Sequence, residues 1–388
     1  MAQTITSFED LVSQEFKSLS MGIRPSGKVH LGSLITLLSG LLYMKEHPET
    51  RFEIQVMDLD YDFNRGPVFT PYLYLAGPEG SGQSAREYLR GELATICEVA
   101  ADELRTAKRE NIRVLYFSEF LMDREALNFF TDILTDPERL GAMTTELFDE
   151  NKKGKVPVSG ICPGCHTSVN GYSSPRFARS KSDKLIKKLA RFVDTSNPIP
   201  EAKRIERIEV CNQELQKITT EIDVVTGGRP VNARYFMNSS CYNQACIMDQ
   251  YAVDLRQPGT YNIHFMVDPI RDALQTSARL RNDLHIFGGD YANPTGERKV
   301  PRVLRIQRAM EAIGLKGTDA YIGPLVLAEG KKMGKSLGNG SIVKVQDEKN
   351  LRRTIQVLSE MIHENHREID YKEIERRIGT PTTPSYVL

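Results

Sequence analysis

The first sixty residues alternate between segments of strand and helix character, and this alternation constrains the fold more than any other feature of the chain. Met21-Gly22-Ile23 is a short run of strand formers that leads into the turn Pro25-Ser26-Gly27. A largely buried helix is predicted over 31–45, ending near His47-Pro48, and a second strand over 51–58. Strand, turn, helix and strand in this order predict a parallel sheet with crossover helices.

The alternation continues along most of the chain. Further helices are predicted at 5–18 (entered through Ser7), 85–108, 123–149, 269–281 and 303–314, with strands at 112–117, 283–287 and 321–327, and one charged helix at 350–378. The predicted fold class is α/β, a doubly wound parallel-sheet, Rossmann-like nucleotide-binding core.

The middle of the chain has a different character, since it contains two cysteine pairs, a basic helix and several turns. We therefore predict an inserted zinc-ribbon and helical region over 151–260, between a first half of the core at 1–150 and a second half at 261–345. A short C-terminal helical extension would occupy 346–388.

Composition narrows the class of protein. The chain has 388 residues and a formal net charge of zero, so a polyanionic partner would have to be bound by a local patch. No apolar run approaches the length of a membrane span, and the first residues lack the character of a signal peptide. We expect a cytoplasmic protein, whose six cysteines then serve as metal ligands or buried side chains and not as disulfides.

The run 25–33 is suited to holding phosphate. It places His30 at the predicted start of a helix, whose N–H groups and positive dipole end favour anions. Gly27 permits the tight turn after Pro25, and Gly32, followed by Ser33, lets adenine or ribose approach the helix backbone. The alternative is an ordinary helix N-terminus with a chance histidine.

A second run, Lys332-Met333-Gly334-Lys335-Ser336, places two lysines on a glycine-rich segment. Ammonium groups act as mobile point charges beside a leaving pyrophosphate, and glycines suit a loop that closes on ATP. In isolation, such a run is typical of a solvated basic loop. Together the two runs predict an ATP site with His30, Lys332 and Lys335 as its catalytic cations and donors. Gly288 and Asp290, at the carboxyl end of the strand predicted at 283–287, would hold adenosine or the substrate amine.

The two runs resemble the signature pair of class I aminoacyl-tRNA synthetases, His-x-Gly-His and Lys-Met-Ser-Lys-Ser. Here the first is His30-Leu31-Gly32-Ser33, and in the second Gly334 replaces a serine. The resemblance implies binding of ATP with Mg²⁺, contacted also by Met333 and Ser336, and activation of an amino acid as its adenylate. It also implies transfer to tRNA.

Further blocks, in the same order, resemble class I lysyl-tRNA synthetases. These blocks are Met57 to Asp62, Asn151 to Pro157, Cys162 to Cys165, Cys241 to Cys246, Val267 to Arg271 and Phe287 to Tyr291. The resemblance implies lysine as substrate, with Asp58, Asp60 and Tyr291 in the amino-acid pocket. The chain departs from the family by lacking tryptophan altogether and by carrying Tyr291 where the family has histidine.

Three acids follow the second predicted strand, Asp58, Asp60 and Asp62. They can pair with the cationic side chain of a basic amino acid. The alternative is that they are solvated or serve as caps.

Cys162-x2-Cys165 has the spacing of a zinc knuckle, and Cys241-x4-Cys246 supplies two more thiolates for a tetrahedral structural site. His166 or Cys211 are competing ligands. A further alternative is that the second pair is simply buried.

Seven basic residues lie within 176–191, opposed by Asp183. An apolar stripe (Leu185, Ile186, Leu189, Phe192 and Val193) would leave Lys184, Lys187, Lys188 and Arg191 on the opposite face. Such a face suits the phosphates of a tRNA acceptor stem, or it is an ordinary solvated surface.

Three destinations of the adenylate stay open: tRNA, a non-tRNA acceptor, or none in a non-catalytic nucleotide-binding regulatory protein. Only 52 residues follow Ser336. We therefore expect no anticodon-binding domain, and contact with tRNA at its acceptor end only.

Overall fold

The computed structural model describes residues 2–26, 28–60, 68–69, 71–106, 108–147, 158–169, 176–177, 185, 188–193, 199–226, 236–241, 243, 246, 250–263, 283–295, 300–328, 330–332 and 347–379. Several sequence predictions fall outside these ranges, namely the helix at 269–281 and the site residues Gly27, Asp62, Met333, Lys335 and Ser336.

The strands within these ranges are β1 (Thr4–Ile5), β2 (Ser18–Ile23), β3 (Arg51–Val56), β4 (Val68–Phe69), β5 (Ile112–Tyr116), β6 (Val158–Gly160), β7 (Ser168–Val169), β8 (Arg176–Phe177), β9 (Phe236–Ser240), β10 (Gln250–Asp254), β11 (Tyr261–Ile263), β12 (Leu284–Phe287), β13 (Pro294–Thr295), β14 (Val300–Pro301), β15 (Asp319–Ile322), β16 (Leu325–Ala328), β17 (Lys331–Lys332) and β18 (Glu368–Asp370).

The helices are α1 (Phe8–Val12), α2 (Leu31–Glu46), α3 (Ala85–Glu103), α4 (Phe117–Phe120), α5 (Arg124–Thr135), α6 (Pro137–Leu147), α7 (Glu201–Thr226), α8 (Arg302–Ala312), α9 (Glu348–His363) and α10 (Tyr371–Ile378). Short 3-10 helices occupy Tyr72–Tyr74, Arg109–Asn111 and Gly289–Ala292.

A six-stranded sheet in the order β1-β15-β12-β2-β3-β5 forms the centre of the molecule, and every neighbouring pair in it is parallel. One face packs in a large apolar cluster with α2, α3 and α9. On the other face, Phe287 and Ile322 contact Val303 and Ile306 of α8. Helices therefore cover both faces, and the predicted doubly wound α/β core is confirmed.

Helix α2 is buried along almost its whole length, from Leu31 to Met44. It lies between the sheet and α9, so nearly every side of it meets apolar neighbours. This explains why its sequence is apolar without a polar face.

The region predicted as an insertion (151–260), together with the strand that follows it, shares a core with the helices that precede it. Val158, Tyr251 and Tyr261 belong to the same apolar cluster as Phe130 and Met143 of α5 and α6. This region is therefore packed against α5 and α6 through side chains that its own short strands provide.

The helix predicted over 123–149 is wrong in its continuity, because it is two helices. The first ends at Thr135 with Asp136 as its C-cap, and Pro137 begins the second, where its missing N–H costs nothing. The helix predicted over 5–18 is also too long. Ser7 is its N-cap, accepting from the Asp10 N–H at 3.0 Å, but α1 ends at Val12.

The single C-terminal helix predicted over 350–378 is wrong as well. Asn365 adopts a left-handed φ of 56°, which ends α9. The chain then forms β18, which pairs in parallel with β16, and Asp370 caps α10. The predicted strand at 321–327 is likewise two strands, β15 and β16, in different sheets, interrupted at Gly323-Pro324.

No helix in the described part of the chain is both long enough and apolar enough to cross a membrane.

Candidate nucleotide and substrate site

The order of the central sheet defines one crevice. From β2 the chain builds β3 and β5 on one side, and later β12 and β15 on the other. In open α/β sheets, ligands bind beyond the carboxyl ends of the strands where the order reverses. The segments after β2, β3 and β12 therefore meet at the place where a ligand is expected, and they contain most of the predicted site residues in the described ranges.

His30 is the N-cap of α2, with extended backbone angles of φ −112° and ψ 165°. Its Nδ1 accepts a hydrogen bond from the Ser33 N–H at 3.3 Å, and its Nε2 lies 3.1 Å from Ser33 Oγ. A side chain at Gly32 would place Cβ only 3.2 Å from the imidazole ring. Gly32 thus lets the ring lie over the first turn of the helix. Pro25, which precedes this helix, is buried.

Glu92 of α3 supports this turn and was missed in the sequence. Its carboxylate is 7% exposed, and it accepts the Val29 N–H at 3.0 Å and the Tyr88 hydroxyl at 3.2 Å. The contact fixes the residue directly before His30. No local signal marks Glu92, because it lies 63 residues from Val29 in the chain.

Asp290 and Lys332 meet at the carboxyl end of β12. Lys332 Nζ donates to Asp290 Oδ2 at 2.7 Å, and both side chains are partly exposed. At Gly289 a Cβ would lie 2.6 Å from the Leu325 backbone nitrogen, so the absence of a side chain allows β16 to approach this turn. Gly288 is adjacent, and a Cβ there would lie 3.7 Å from Thr36 Oγ1 of α2.

Tyr291 is half-buried between two neighbours. Its ring centroid lies 4.6 Å from that of Phe287, and the Arg302 guanidinium carbon lies 4.3 Å from its centroid. Both contacts hold the ring beside α8.

Asp58 is completely buried. Its carboxylate accepts the Ser118 N–H at 2.9 Å, the Ser118 hydroxyl at 2.6 Å and Arg86 Nη1 at 3.0 Å. Burial raises the pKa of Asp58 above its usual value, although the donors from Ser118 and Arg86 oppose the rise. The alternative of a solvated carboxylate is therefore wrong for this residue.

Asp60 is also completely buried, and Arg24 Nε lies 2.6 Å from its Oδ2. Arg24 directly follows β2, so this ion pair joins the ends of two neighbouring strands. The predicted contact of Asp58 and Asp60 with a substrate amine stays a prediction, but both carboxylates already face an arginine.

Cys162, Cys165, Cys241 and Cys246 form one group, with all four sulfur atoms within 4.8 Å of one another. The Sγ atoms of Cys162 and Cys246 are 3.7 Å apart, and those of Cys165 and Cys241 are 3.6 Å apart. Tetrahedral zinc with Zn–S bonds of about 2.3 Å requires sulfur separations of about 3.8 Å. The donor set therefore fits zinc.

The electrostatics of the four thiols also fit a cation. Burial and the neighbouring thiols raise the pKa of Cys241 to about 12. Burial opposes ionisation of Cys165, but hydrogen bonds from Thr167 and the neighbouring thiols lower the pKa of Cys165 to about 6. Four thiolates as close together as these sulfur atoms require a positive ion between them.

The two competing ligands do not belong to this group. His166 has a left-handed φ of 53°, and its ring stacks on Tyr74 with centroids 4.7 Å apart. Cys211 is buried in α7. Among the described residues, the four predicted cysteines form the group whose ligand atoms lie close enough together to hold a metal ion.

The basic segment is described in part. Lys188 and Arg191 are exposed on a helical turn at 188–193. Phe192 is half-buried, with the Arg207 guanidinium carbon 5.5 Å from its centroid. Val193 is 59% exposed, so this end of the predicted apolar stripe lies in solvent. Lys184 and Lys187 lie outside the described ranges.

The sequence matches no protein-family profile and no curated protein. Among solved structures, the chain is similar to tyrosyl-tRNA synthetase from Aeropyrum pernix, at 12% identity and a TM-score of 0.34 over 89% of this chain and 65% of that one. It is also similar to Mycobacterium tuberculosis methionyl-tRNA synthetase bound by methionyl-adenylate, at 12% identity and a TM-score of 0.38 over 94% and 68%.

A third similar structure is tryptophanyl-tRNA synthetase from Campylobacter jejuni, complexed with ADP and tryptophan, at 11% identity and a TM-score of 0.33 over 88% and 66%. The chain spans about two thirds of the length of these structures.

Proposed function

We propose that this chain binds ATP with Mg²⁺ and activates the carboxylate of an amino acid as its adenylate, as a class I aminoacyl-tRNA synthetase does. The observation that supports this most is that His30 begins the helix after β2 and the Asp290–Lys332 pair follows β12, the neighbouring strand at the switch point of the sheet. An imidazole at a helix N-terminus and an ammonium group at the neighbouring strand end suit a triphosphate.

The chemistry needs no nucleophilic side chain. The substrate carboxylate attacks the α-phosphorus, the bond to the β-phosphate oxygen breaks, and pyrophosphate leaves. His30 and the α2 N-terminus would stabilise the phosphates, with Gly27, Gly32 and Ser33 at the turn. Lys332 and Lys335 would neutralise the leaving pyrophosphate beside Met333 and Ser336. Positioning and electrostatic stabilisation supply the acceleration.

ATP–pyrophosphate exchange tests the proposal. Wild-type protein should support exchange with at least one amino acid, and Lys335→Ala should reduce it by about 100-fold without changing the melting temperature. Lys331→Ala, an exposed lysine of the same segment, is the matched control. Unchanged exchange in Lys335→Ala contradicts the assignment of the lysine loop.

Lysine is one candidate substrate, through the resemblance of the sequence blocks to lysyl-tRNA synthetases. The acceptor is a separate question. Charging of total tRNA after exchange supports a synthetase that contacts the acceptor end, through residues such as Lys188 and Arg191. Exchange without charging supports a ligase that transfers the amino acid to another acceptor, and ATP binding without exchange supports a regulatory protein.

We also propose that Cys162, Cys165, Cys241 and Cys246 hold a structural zinc ion. The fit of the sulfur separations to a tetrahedral site supports this. The ion would join the turn at 162–165 to the segment after β9 and thereby stabilise a region of short strands.

A further inference from the structure

The end of β3 presents arginines, and not carboxylates, to a ligand. Asp58 and Asp60 are both 0% exposed, whereas the side chains of Arg86 and Arg24 paired with them are 29% and 38% exposed. We propose that Arg24 and Arg86 recognise an acidic group on the substrate, so that the activated molecule is an acidic amino acid or a related dicarboxylate. This inference rests on the proposed function, because it names the substrate of that adenylation.

The carboxylates act as positioning groups for these arginines. Asp58 already accepts three hydrogen bonds, two from Ser118 and one from Arg86. A substrate amine would have to displace one of these donors from a buried site. An arginine held by a buried acid is instead pre-oriented, which lowers the entropic cost of binding an anion.

The guanidinium of Arg86 retains donor capacity. Arg86 uses Nη1 for Asp58, while its Nε is buried and has no hydrogen-bond partner in the described part of the chain. A guanidinium has five donors in a fork that matches a carboxylate. Arg86 and Arg90 also lie 4.9 Å and 4.7 Å from the centroid of the Tyr116 ring, which holds both cations at this strand end.

Two further buried side chains, near residues 58–60, have no hydrogen-bond partner among the described residues. The Ile263 N–H donates to the Leu59 carbonyl at 2.8 Å, which places β11 beside Asp58 and Asp60. In β11, Asn262 is 0% exposed, and neither atom of its amide has a hydrogen-bond partner among the described residues. The Tyr261 hydroxyl is likewise buried without a hydrogen-bond partner among the described residues. Buried polar groups are rarely left unpaired, and successive side chains of a strand face opposite sides, so one of these two groups can complete a polar site beside Asp58 and Asp60.

The location separates this site from the proposed phosphate site. Asp290 and Lys332 follow β12 and β16, whereas Asp58 and Asp60 follow β3, with β2 between β12 and β3. Two strand spacings amount to about 10 Å. One ligand can therefore place its second acidic group at Arg24 and Arg86, after β2 and β3, and its reacting carboxylate toward β12.

A panel of substrates in ATP–pyrophosphate exchange tests the inference. Glutamate and aspartate should support exchange with a kcat/KM at least about 100-fold above that of glutamine, asparagine, lysine and ornithine. A higher kcat/KM for lysine or ornithine overturns the inference. Absence of exchange with every amino acid, in protein that binds ATP, counts against the proposed function instead.

A double variant tests the arginine itself. Arg24→Gln alone removes the guanidinium that faces the buried Asp60 carboxylate and is expected to unfold, so Arg24→Gln/Asp60→Asn removes both charges. We expect the KM for the acidic substrate to rise by about 100-fold, with the KM for ATP changed by less than about twofold.

The matched control is Arg256→Gln/Asp254→Asn, which removes an arginine–aspartate pair of 2.6 Å in the inserted region and should change neither KM. A rise in the KM for ATP alone would assign Arg24 to the nucleotide and overturn the inference, as would two unchanged KM values. A melting temperature within about 5 °C of wild type shows that the double variant is folded.

Discussion

Lys332 Nζ lies 2.7 Å from Asp290 Oδ2, so an ion pair joins the start of the lysine loop to the turn that follows β12. The two side chains are 43% and 33% exposed. An ion pair in such contact with water is worth about 0–1 kcal/mol. Under the proposed function, a triphosphate would therefore displace Asp290 from the Lys332 ammonium group at little cost.

Lys332→Ala should reduce ATP–pyrophosphate exchange by about 100-fold, because the variant removes a cation from the developing negative charge. Lys331→Ala should retain wild-type exchange, since Lys331 is exposed on the same short strand. Equal losses in the two variants would mean that the segment contributes only general positive charge.

Three glycines should respond differently to alanine. Gly32→Ala should lower exchange while the protein stays folded, because the new Cβ displaces the His30 ring. Gly40→Ala should lower the free energy of unfolding by about 1–3 kcal/mol, since its Cβ would overlap the Phe52 ring in the core. Gly91→Ala meets nothing within 4 Å and should stabilise α3 by about 0.5–1 kcal/mol. Exchange assays test Gly32→Ala, and chemical denaturation tests Gly40→Ala and Gly91→Ala. An inactive Gly91→Ala would contradict the expectation that an exposed position of α3 tolerates a side chain.

Glu92→Ala should lower both stability and exchange, because the Val29 N–H would lose its acceptor, at a cost of about 1–3 kcal/mol. Glu92→Gln should recover most of both, since an amide oxygen accepts the same hydrogen bond. The comparison uses urea denaturation and exchange kinetics. A Glu92→Gln variant as impaired as Glu92→Ala would show that the negative charge matters, and not the hydrogen bond.

Purified protein should contain about one zinc ion per chain, and a chelator should lower its melting temperature, because a structural zinc site contributes to folding. Cys241→Ala should lose the metal, as measured by elemental analysis. Cys211→Ala should keep it, since Cys211 is buried in α7 outside the group of four. Metal-free wild-type protein with an unchanged melting temperature would contradict a structural site.

Helix α10 should lose stability in acid, because Glu373 forms ion pairs with Arg376 and Arg377 of the same helix. Hydrogen bonds from Arg376 and Arg377 lower the pKa of Glu373 to about 2, from an ordinary value of 4.5. A lowered carboxyl pKa stabilises the folded state above the ordinary value, and the contribution is lost as the pH falls from 4.5 through about 2.

The difference in melting temperature between wild type and Glu373→Gln should therefore be largest at a pH of about 6 and vanish near a pH of about 2. Glu368→Gln, at an exposed residue of β18, serves as the control. A difference that persists at the lowest pH would contradict the role of the ionised Glu373.

The central sheet could be predicted from the sequence because strand and helix patterns are local. The same holds for His30 at a helix start and for the spacing of the four cysteines. The ends of α5 and α9 could not be predicted, because at each of them a single residue decides whether the helix continues. Asn365 has no steric bar to continuing a helix, and only the pairing of β18 with β16 accounts for the strand that follows. Pro137 can begin a helix as readily as end one.

Ion pairs and hydrogen bonds between residues far apart in the chain could not be predicted from the sequence. Asp58 and Asp60 attract attention as acids, yet nothing near them in the chain indicates that Arg86 and Arg24 neutralise them. Glu92 resembles any other acid on an amphipathic helix until α3 is seen against the turn of Val29. Such pairs depend on the register of strands far apart in sequence, which a local pattern does not encode.

The placement of β1 and β18 has a consequence for how the protein is made on the ribosome. Thr4 and Ile5 pair with Ala320 and Tyr321, and the strand that leads to Lys332 pairs with residues 368–370. The first strand must therefore wait for more than three hundred later residues before it finds its neighbour. Contacts of such long range slow folding. Nascent chains should accordingly leave β1 and one edge of β12 unpaired until residues 319–322 have been made, and chaperones that shield unpaired strands should bind the chain during that time.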